Sequence, residues 1–319
     1  MKKLHWFIIL IAILILLLVI WFLKTGDKGI VSVNCQTDSL SDIIRDKVVA
    51  QDTVVLMGDC QEDDSVVIDK DITLDGQGNT LSGTSAKDVI VVDNATVTIK
   101  NITVTRGKHG VVSKNSIVFS ENLIVRDNNG VGIIVVGEAM GENEYNDVLD
   151  SMNKIDSSPV NFNNNKLFRL KSSNNSSKII SVCSLSQAEL NAASLPVLKM
   201  TCGEVYNNNS GGIFIADDTK GCFGYGGNCT IEVFNNPWGV YARGANMDVG
   251  DGLLSIHHNN SFGVGLALKG SVLTGNGEGT ASMHDQTYNF CKQRDDDTNI
   301  LADRIHLEPS VSECPFNLP

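Results

Sequence analysis

The chain has 319 residues, with 37 acidic against 25 basic side chains and a formal net charge of −12 at pH 7. That balance excludes a nucleic-acid binder built on a basic stripe, which must displace counterions from phosphates. Apolar residues make up 42% of the chain, and what remains after an apolar leader is long enough to bury one sizeable core.

The leader comes first. Trp6 to Leu23 is an unbroken run of eighteen apolar residues. At ~1.5 Å per residue it reaches ~27 Å, close to the ~30 Å hydrocarbon core of a bilayer. Backbone amides in lipid must bond within their own segment, so the run is predicted to be a helix. Trp6 and Trp21 stand near its ends, where indole rings favour the interface. A cleaved signal peptide has a shorter core followed by small residues, whereas this run passes into Trp21-Phe22-Leu23-Lys24-Thr25. The expectation is a single transmembrane signal-anchor helix over 6–23 behind a short tail at 1–5. Lys2 and Lys3 favour a cytoplasmic N-terminus, and Lys24 and Lys28 weaken the contrast. The C-terminal domain would then be extracellular, lumenal or on a virion, and the membrane is the first expected partner.

Residues 24–50 are expected to be a linker and an N-terminal cap. Asp38 to Gln51 places Leu40, Ile43, Ile44 and Val48 on one helical face, with Asp38 or Ser39 as N-cap. Short β-branched runs follow, including Val54-Val55-Leu56, Val66-Val67-Ile68, Ile72-Thr73-Leu74, Val97-Thr98-Ile99 and Ile117-Val118-Phe119. Asp, Asn, Gly and Lys fill the gaps, so these read as short strands. No ten-residue amphipathic helices separate them, which argues against a doubly wound sheet.

A motif then recurs: two asparagines, two variable residues, glycine and a β-branched residue. It reads Asn128-Asn129-Gly130-Val131-Gly132-Ile133, and returns at Asn208, Asn235 and Asn259. Gly110, Gly132, Gly212, Gly239 and Gly263 are separated by 22, 80, 27 and 24 residues. Periods in the low twenties mean a solenoid with one winding per repeat. Asn tolerates left-handed dihedrals, and stacked copies can form a ladder of amide hydrogen bonds. Asn129, Asn209, Asn236 and Asn260 are therefore expected to line up at one corner. The separation of 80 marks an excursion, set at about 138–202, with possible strands at 168–170 and 179–182 and a helix at 186–193. Long insertions of this kind often carry binding.

The pattern resembles the right-handed parallel β-helix of the pectate-lyase-like (pectin-lyase-like) superfamily. Asp69 to Gly83 is similar to the first-winding signature common there, and the resemblance covers about 50–137 and 203–280. It implies an all-β right-handed parallel β-helix over 51–280, with a capping helix at its N-terminal end and a C-terminal cap over 281–319.

All eight cysteines (Cys35, Cys60, Cys183, Cys202, Cys222, Cys229, Cys291 and Cys314) lie beyond the leader. An even count in a translocated domain suggests disulfides, although eight cysteines allow roughly a hundred pairings. Sequence neighbours would pair 35 with 60, 183 with 202, 222 with 229, and 291 with 314. Metal ligation lacks C-x-x-C and clustered His, and unpaired buried thiols are the remaining alternative. Sequons fall at Asn94, Asn101, Asn174, Asn175, Asn208, Asn228 and Asn259, which permits glycosylation.

The resemblance also raises chemistry on acidic glycans. Lyases of that kind hold calcium with carboxylates and use Arg or Lys as base, so calcium would be the one cofactor to expect. Asp217, Asp218 and Arg243 are the candidate catalytic residues, and in-register stacking would bring Asp217 within reach of Arg243, at a strand spacing of ~4.8 Å. A surface ion pair across the ladder explains the same residues. The hydrolase pattern is matched only at Asp217-Asp218; its later Gly-His-Gly and Arg-x-Lys are absent. His257-His258 sits in an extended context where successive side chains diverge, so no shared metal is expected. Asp295-Asp296-Asp297 resembles no defined calcium loop, and Glu62-Asp63-Asp64 reads as a polar turn. The leading expectation is a membrane-anchored, non-enzymatic β-helix with a structural or adhesive role and no cofactor, meeting a glycan or protein partner. The alternatives are a tethered polysaccharide lyase or hydrolase, and a minor capsid or envelope protein of a large virus.

Overall fold

A computed structural model describes residues 29–153 apart from 139 and 141, then 196–301 apart from 217, 226–228, 251, 268–271, 276–279, 285–287 and 293–298. The expected anchor at 6–23 lies outside the described residues. So do the elements expected at 168–170, 179–182 and 186–193. No described helix is long and apolar enough to cross a membrane.

Strand β1 (Ile30–Val33) and helix α1 (Leu40–Asp46) lead into three-sided windings. The first winding is β2 (Thr53–Leu56), β3 (Cys60–Gln61) and β4 (Val66–Ile68), and the second β5 (Ile72–Asp75), β6 (Thr80–Ser82) and β7 (Ile90–Asp93). In the third and fourth, β8 (Thr96–Thr105) and β10 (Ile117–Arg126) each bend through a corner before β9 (Val111–Lys114) and β11 (Val131–Val136). Helix α2 (Glu142–Asn153) opens the excursion. The fifth winding is β12 (Val197–Met200), β13 (Gly203–Tyr206) and β14 (Gly211–Ala216). The sixth is β15 (Lys220–Phe223), β16 (Thr230–Phe234) and β17 (Val240–Arg243). The seventh is β18 (Asn246–Val249), β19 (Leu253–His257) and β20 (Phe262–Ala267). The eighth is β21 (Val272–Gly275), β22 (Thr280–His284) and β23 (Tyr288–Lys292), and β24 (Asn299–Leu301) follows.

Every strand pairs in parallel with its counterpart one winding away, as in Ile133 with Ile213 and Val240 with Val264. The first two faces join through β8 and β10 into a 16-stranded sheet, and the third face is an eight-stranded sheet. The chain is thus an all-β parallel solenoid of the right-handed type. The ladder is longer than the boundaries 51 and 280 expected from sequence: β1 already pairs with β2, and β23 and β24 still pair with β20 and β21. Val54, Leu74, Val97, Ile133, Ile213, Val240 and Val264, from successive windings, belong to one continuous core.

The corners turn on left-handed residues. Asn101 and Asn122 occupy the first corner, with φ of 52° and 51°. Arg106, Asp127, Asn207, Asn235 and His258 hold the second, and Asn94, Asn115, Asp218 and Gly244 the third. A short polar side chain or glycine lowers the penalty for that conformation.

Helix α1 buries Leu40, Ile43 and Ile44 as expected and packs against β4, the first strand of the eight-stranded sheet. Ser39 is its N-cap, accepting from the Asp42 N–H. Glu62 is more than a polar turn. Its carboxylate accepts the Leu40 N–H at 2.6 Å and the Ser39 and Ser41 hydroxyls at 3.0 Å each. At the other end Lys70 Nζ donates to the Ile44, Arg45 and Val48 carbonyls at 3.1, 3.0 and 3.1 Å. An anion at the helix N-terminus and a cation at its C-terminus both complement the helix dipole.

Cys35–Cys60 forms as expected, with Cα atoms 4.9 Å apart. The pairs Cys183–Cys202 and Cys222–Cys229 do not form, because Cys202 bonds Cys229 at a Cα separation of 5.6 Å. In a solenoid the spatial neighbour is one winding away. Both bonds respect this, with sequence separations of 25 and 27. Cys222 is disulfide-bonded as well, and the expected Cys291–Cys314 pair lies outside the described residues.

Candidate functional site

The excursion leaves the stack at the third corner, between β11 and β12. Adjacent windings close that corner with Asn115-Ser116 or Gly244-Ala245, whereas here it spans 137–196. Its end is earlier than the expected 202, because Val197 is already in register with Ile117. Helix α2 lays Val148 and Leu149, with Met140, in one apolar cluster with Val112, Ile134, Phe214 and Tyr241 on the outer side of the eight-stranded sheet. Every residue of β11 and β14 is consequently buried. Burial pushes the Tyr241 phenol well above its ordinary range, against the pull of the nearby Arg243 guanidinium.

Arg243 ends β17, in register with Ala216. One of its terminal nitrogens lies 3.5 Å from Glu144 Oε1 on α2, and its side chain is only 17% exposed. Asp218 is exposed, left-handed at φ 56°, and its N–H donates to the Gly244 carbonyl at 3.0 Å. Asp218 and Arg243 therefore share the third corner, whereas sequence stacking placed Asp217 within reach of Arg243. Asp217 lies outside the described residues. On α2, Asn146 meets Lys108 Nζ at 3.5 Å, so polar contacts at Lys108 and at Arg243 hold the helix across several windings.

The corner asparagines do line up, but in a different register. Asn128, Asn208, Asn236 and Asn259 are each at most 1% exposed. Their amides bond in sequence, Asn128 to Asn208 at 2.9 Å, Asn208 to Asn236 at 3.1 Å and Asn236 to Asn259 at 3.2 Å. Of the expected column Asn129, Asn209, Asn236 and Asn260, Asn209 does donate to Asn129 at 3.4 Å on the exposed side, and Asn236 belongs instead to the buried ladder. The inward position is set by the left-handed residue just before it: Asp127, Asn207, Asn235 or His258. Counting back from the glycines fails because Asn236 is one residue closer to Gly239 than Asn208 is to Gly212. A second, shorter ladder joins Asp75, Asn101 and Asn122 at the first corner, through contacts of 3.2 and 3.0 Å. Burial opposes ionisation of Asp75, yet the Gln77 N–H, the Asn101 amide and Lys100 outweigh it and hold the carboxyl below its usual range. Asn94 and Asn115 pair similarly at the third corner, at 2.7 Å.

No family model matches the chain, and no curated protein matches it. One similar solved structure is the A-module of the Azotobacter vinelandii mannuronan C-5 epimerase AlgE6. It covers 91% of this chain and 90% of its own, at 12% identity and a TM-score of 0.34.

A shallow open depression of 380 Å³ lies beside the first corner, lined by Gln77, Asn101, Thr103, Asn122 and Ile124. Its polar groups are neutral amides and a hydroxyl, which can hydrogen-bond a ligand but carry no acid or base. Among the described residues no three His, Cys, Asp or Glu side chains gather as a metal site. His109 is buried, and its Nδ1 accepts the Val131 N–H at 2.9 Å. Burial first, then neighbouring Lys108, lowers its pKa to about 4.

Two sequons are closed by the ladder: Asn208 and Asn259 are buried with their amides engaged. Asn94 is exposed and Asn101 half-buried, while Asn174, Asn175 and Asn228 lie outside the described residues, as do Asp295 to Asp297. The extended reading of His257-His258 is also corrected, since His258 is left-handed and the two rings converge. A His one step before the buried Asn, where Asn207 and Asn235 stand in other windings, was the available signal.

Proposed function

We propose that the protein is a membrane-tethered, non-catalytic solenoid with a structural or adhesive role, a component of a wall, envelope, appendage or virion shell. The observation that carries this reading is the covered third face. The one basic residue expected to act on an acidic glycan, Arg243, is engaged by Glu144 of α2. The same helix buries the sheet beside it. The corner asparagines bond mainly to one another and to backbone, so those amides serve rigidity. The tether is the apolar run at 6–23, and an acidic surface suits a solvated exterior domain.

Two experiments test the proposal. Full-length protein is expected to stay in the bilayer fraction through alkaline carbonate extraction, whereas residues 29–319 should be released. Incubating residues 29–319 with polyuronates, with and without calcium, should give no unsaturated or shortened product. Product formation that disappears in Asp217→Ala or Arg243→Ala would establish the tethered lyase or hydrolase instead.

A further inference from the structure

We propose that Asn94 carries an N-linked glycan, and that among the sequons of the described residues it alone does so, a reading that rests on the tethered topology above. That topology sets the solenoid on the side of a membrane where such transfer takes place. A sequon supplies an acceptor amide and a hydroxyl two residues on, and its product is a bulky group that needs an open surface. Asn94-Ala95-Thr96 has the motif. Asn94 is exposed and left-handed at φ 51°, at the third corner between β7 and β8. Its Nδ2 donates to the carboxylate of its neighbour Asp93 at 2.8 Å, a contact open to solvent. Its Oδ1 accepts from Asn115 of the next winding at 2.7 Å.

The two ends of this amide thus have separate roles. Transfer from a lipid-linked pyrophosphate oligosaccharide breaks the bond between the sugar's anomeric carbon and the pyrophosphate oxygen. A bond from that carbon to Nδ2 forms, one Nδ2 proton is lost, and the lipid pyrophosphate leaves. The product keeps Oδ1 and one N–H, so the bond from Asn115 survives and only a solvent-exposed donor contact is given up. The other sequons are held differently. Asn101 is half-buried, and its Nδ2 donates at 3.2 Å to Asp75, a carboxylate only 5% exposed. Depriving a buried acceptor of a donor is costly. Asn208 and Asn259 lie inside the ladder, their Nδ2 atoms donating to the Tyr206 and Val233 carbonyls. A glycan at Asn94 shares the third corner with the excursion, and leaves the first corner with its open depression unobstructed.

The test translates the full chain in the presence of eukaryotic microsomes under oxidising conditions and then adds protease. Protection of the C-terminal domain reports topology independently of any sugar. Protected chains are treated with peptide N-glycosidase in heavy-oxygen water, which turns each formerly glycosylated Asn into labelled Asp, and the sites are read by mass spectrometry. Label is expected at Asn94 and not at Asn101, Asn208 or Asn259. Asn94→Asp keeps an acceptor for Asn115, and Asp218 shows that Asp suits this left-handed corner, so the variant should fold while losing one endoglycosidase-sensitive step in gel mobility. Protected chains without label at Asn94, or labelled as fully at any of the other three, overturn the proposal and leave the topology standing. Unprotected chains overturn both.

Discussion

The Asn236 amide accepts from both nitrogens of Asn208 and donates to the Val205 and Phe234 carbonyls and to Asn259. Truncation strands several buried partners at once, and a buried unsatisfied group costs ~1–3 kcal/mol. Asn236→Ala is therefore expected to lower stability by about 3 kcal/mol, read as a fall in the urea midpoint. The same ladder forbids a glycan at Asn208 or Asn259, so glycopeptide mass spectrometry of protein secreted from eukaryotic cells should find neither occupied in folded material. His109 adds a pH dependence. Above its ordinary pKa of 6.5 the imidazole is neutral in both states; between 6.5 and 4 the unfolded chain binds a proton that the folded one refuses. Stability should drop by about 3 kcal/mol across that window. His109→Gln keeps an acceptor for the Val131 N–H and should flatten this part of the profile in urea titrations at several pH values. The repeat was legible because Asn and Gly carry the corner geometry in their own dihedral preferences. The inward register was not, because corner lengths differ by one residue between windings.

Helix α1 could be read from its apolar spacing and its serine cap, both local signals. Its partners could not: Glu62 and Lys70 reach it across 22 and 26 residues, and only the stacked first winding brings them there. Glu62→Ala leaves the Leu40 N–H and two hydroxyls without their anion, and should cost about 2 kcal/mol. The loss should concentrate in hydrogen exchange of the first winding. Helix α2 was missed for a similar reason. Its sequence, ENEYNDVLDSMN, carries few apolar residues, and what it buries is supplied mostly by the outer side of the eight-stranded sheet. Periodicity alone put Asp217 within reach of Arg243; Asp218 does share the third corner with Arg243, and Asp217 lies outside the described residues. The Glu144 contact to Arg243 depends on the course of the excursion, which the period of the repeat does not encode.

A stack in which each winding touches mainly its neighbours behaves as a one-dimensional array. The insertion shows how independent the ladder is of what its corners carry, since Leu123 pairs with Gly203 across it in the same register as Leu123 with Ile102. Replacing 138–195 with a Gly-Ala corner like Gly244-Ala245 should leave the far-ultraviolet spectrum of the solenoid intact. It should also uncover Val112, Ile134, Phe214 and Tyr241, and so raise dye binding and self-association on size exclusion.

The two disulfides with both partners among the described residues give that array directionality. Cys35–Cys60 rivets the opening strand and its plug to the first full turn, and Cys202–Cys229 rivets two turns just past the insertion. A pull on the C-terminal tail would peel away the last turns one at a time and then halt at the second rivet. Under the tether proposed above, that would set a built-in limit on how far mechanical load can unravel the stack.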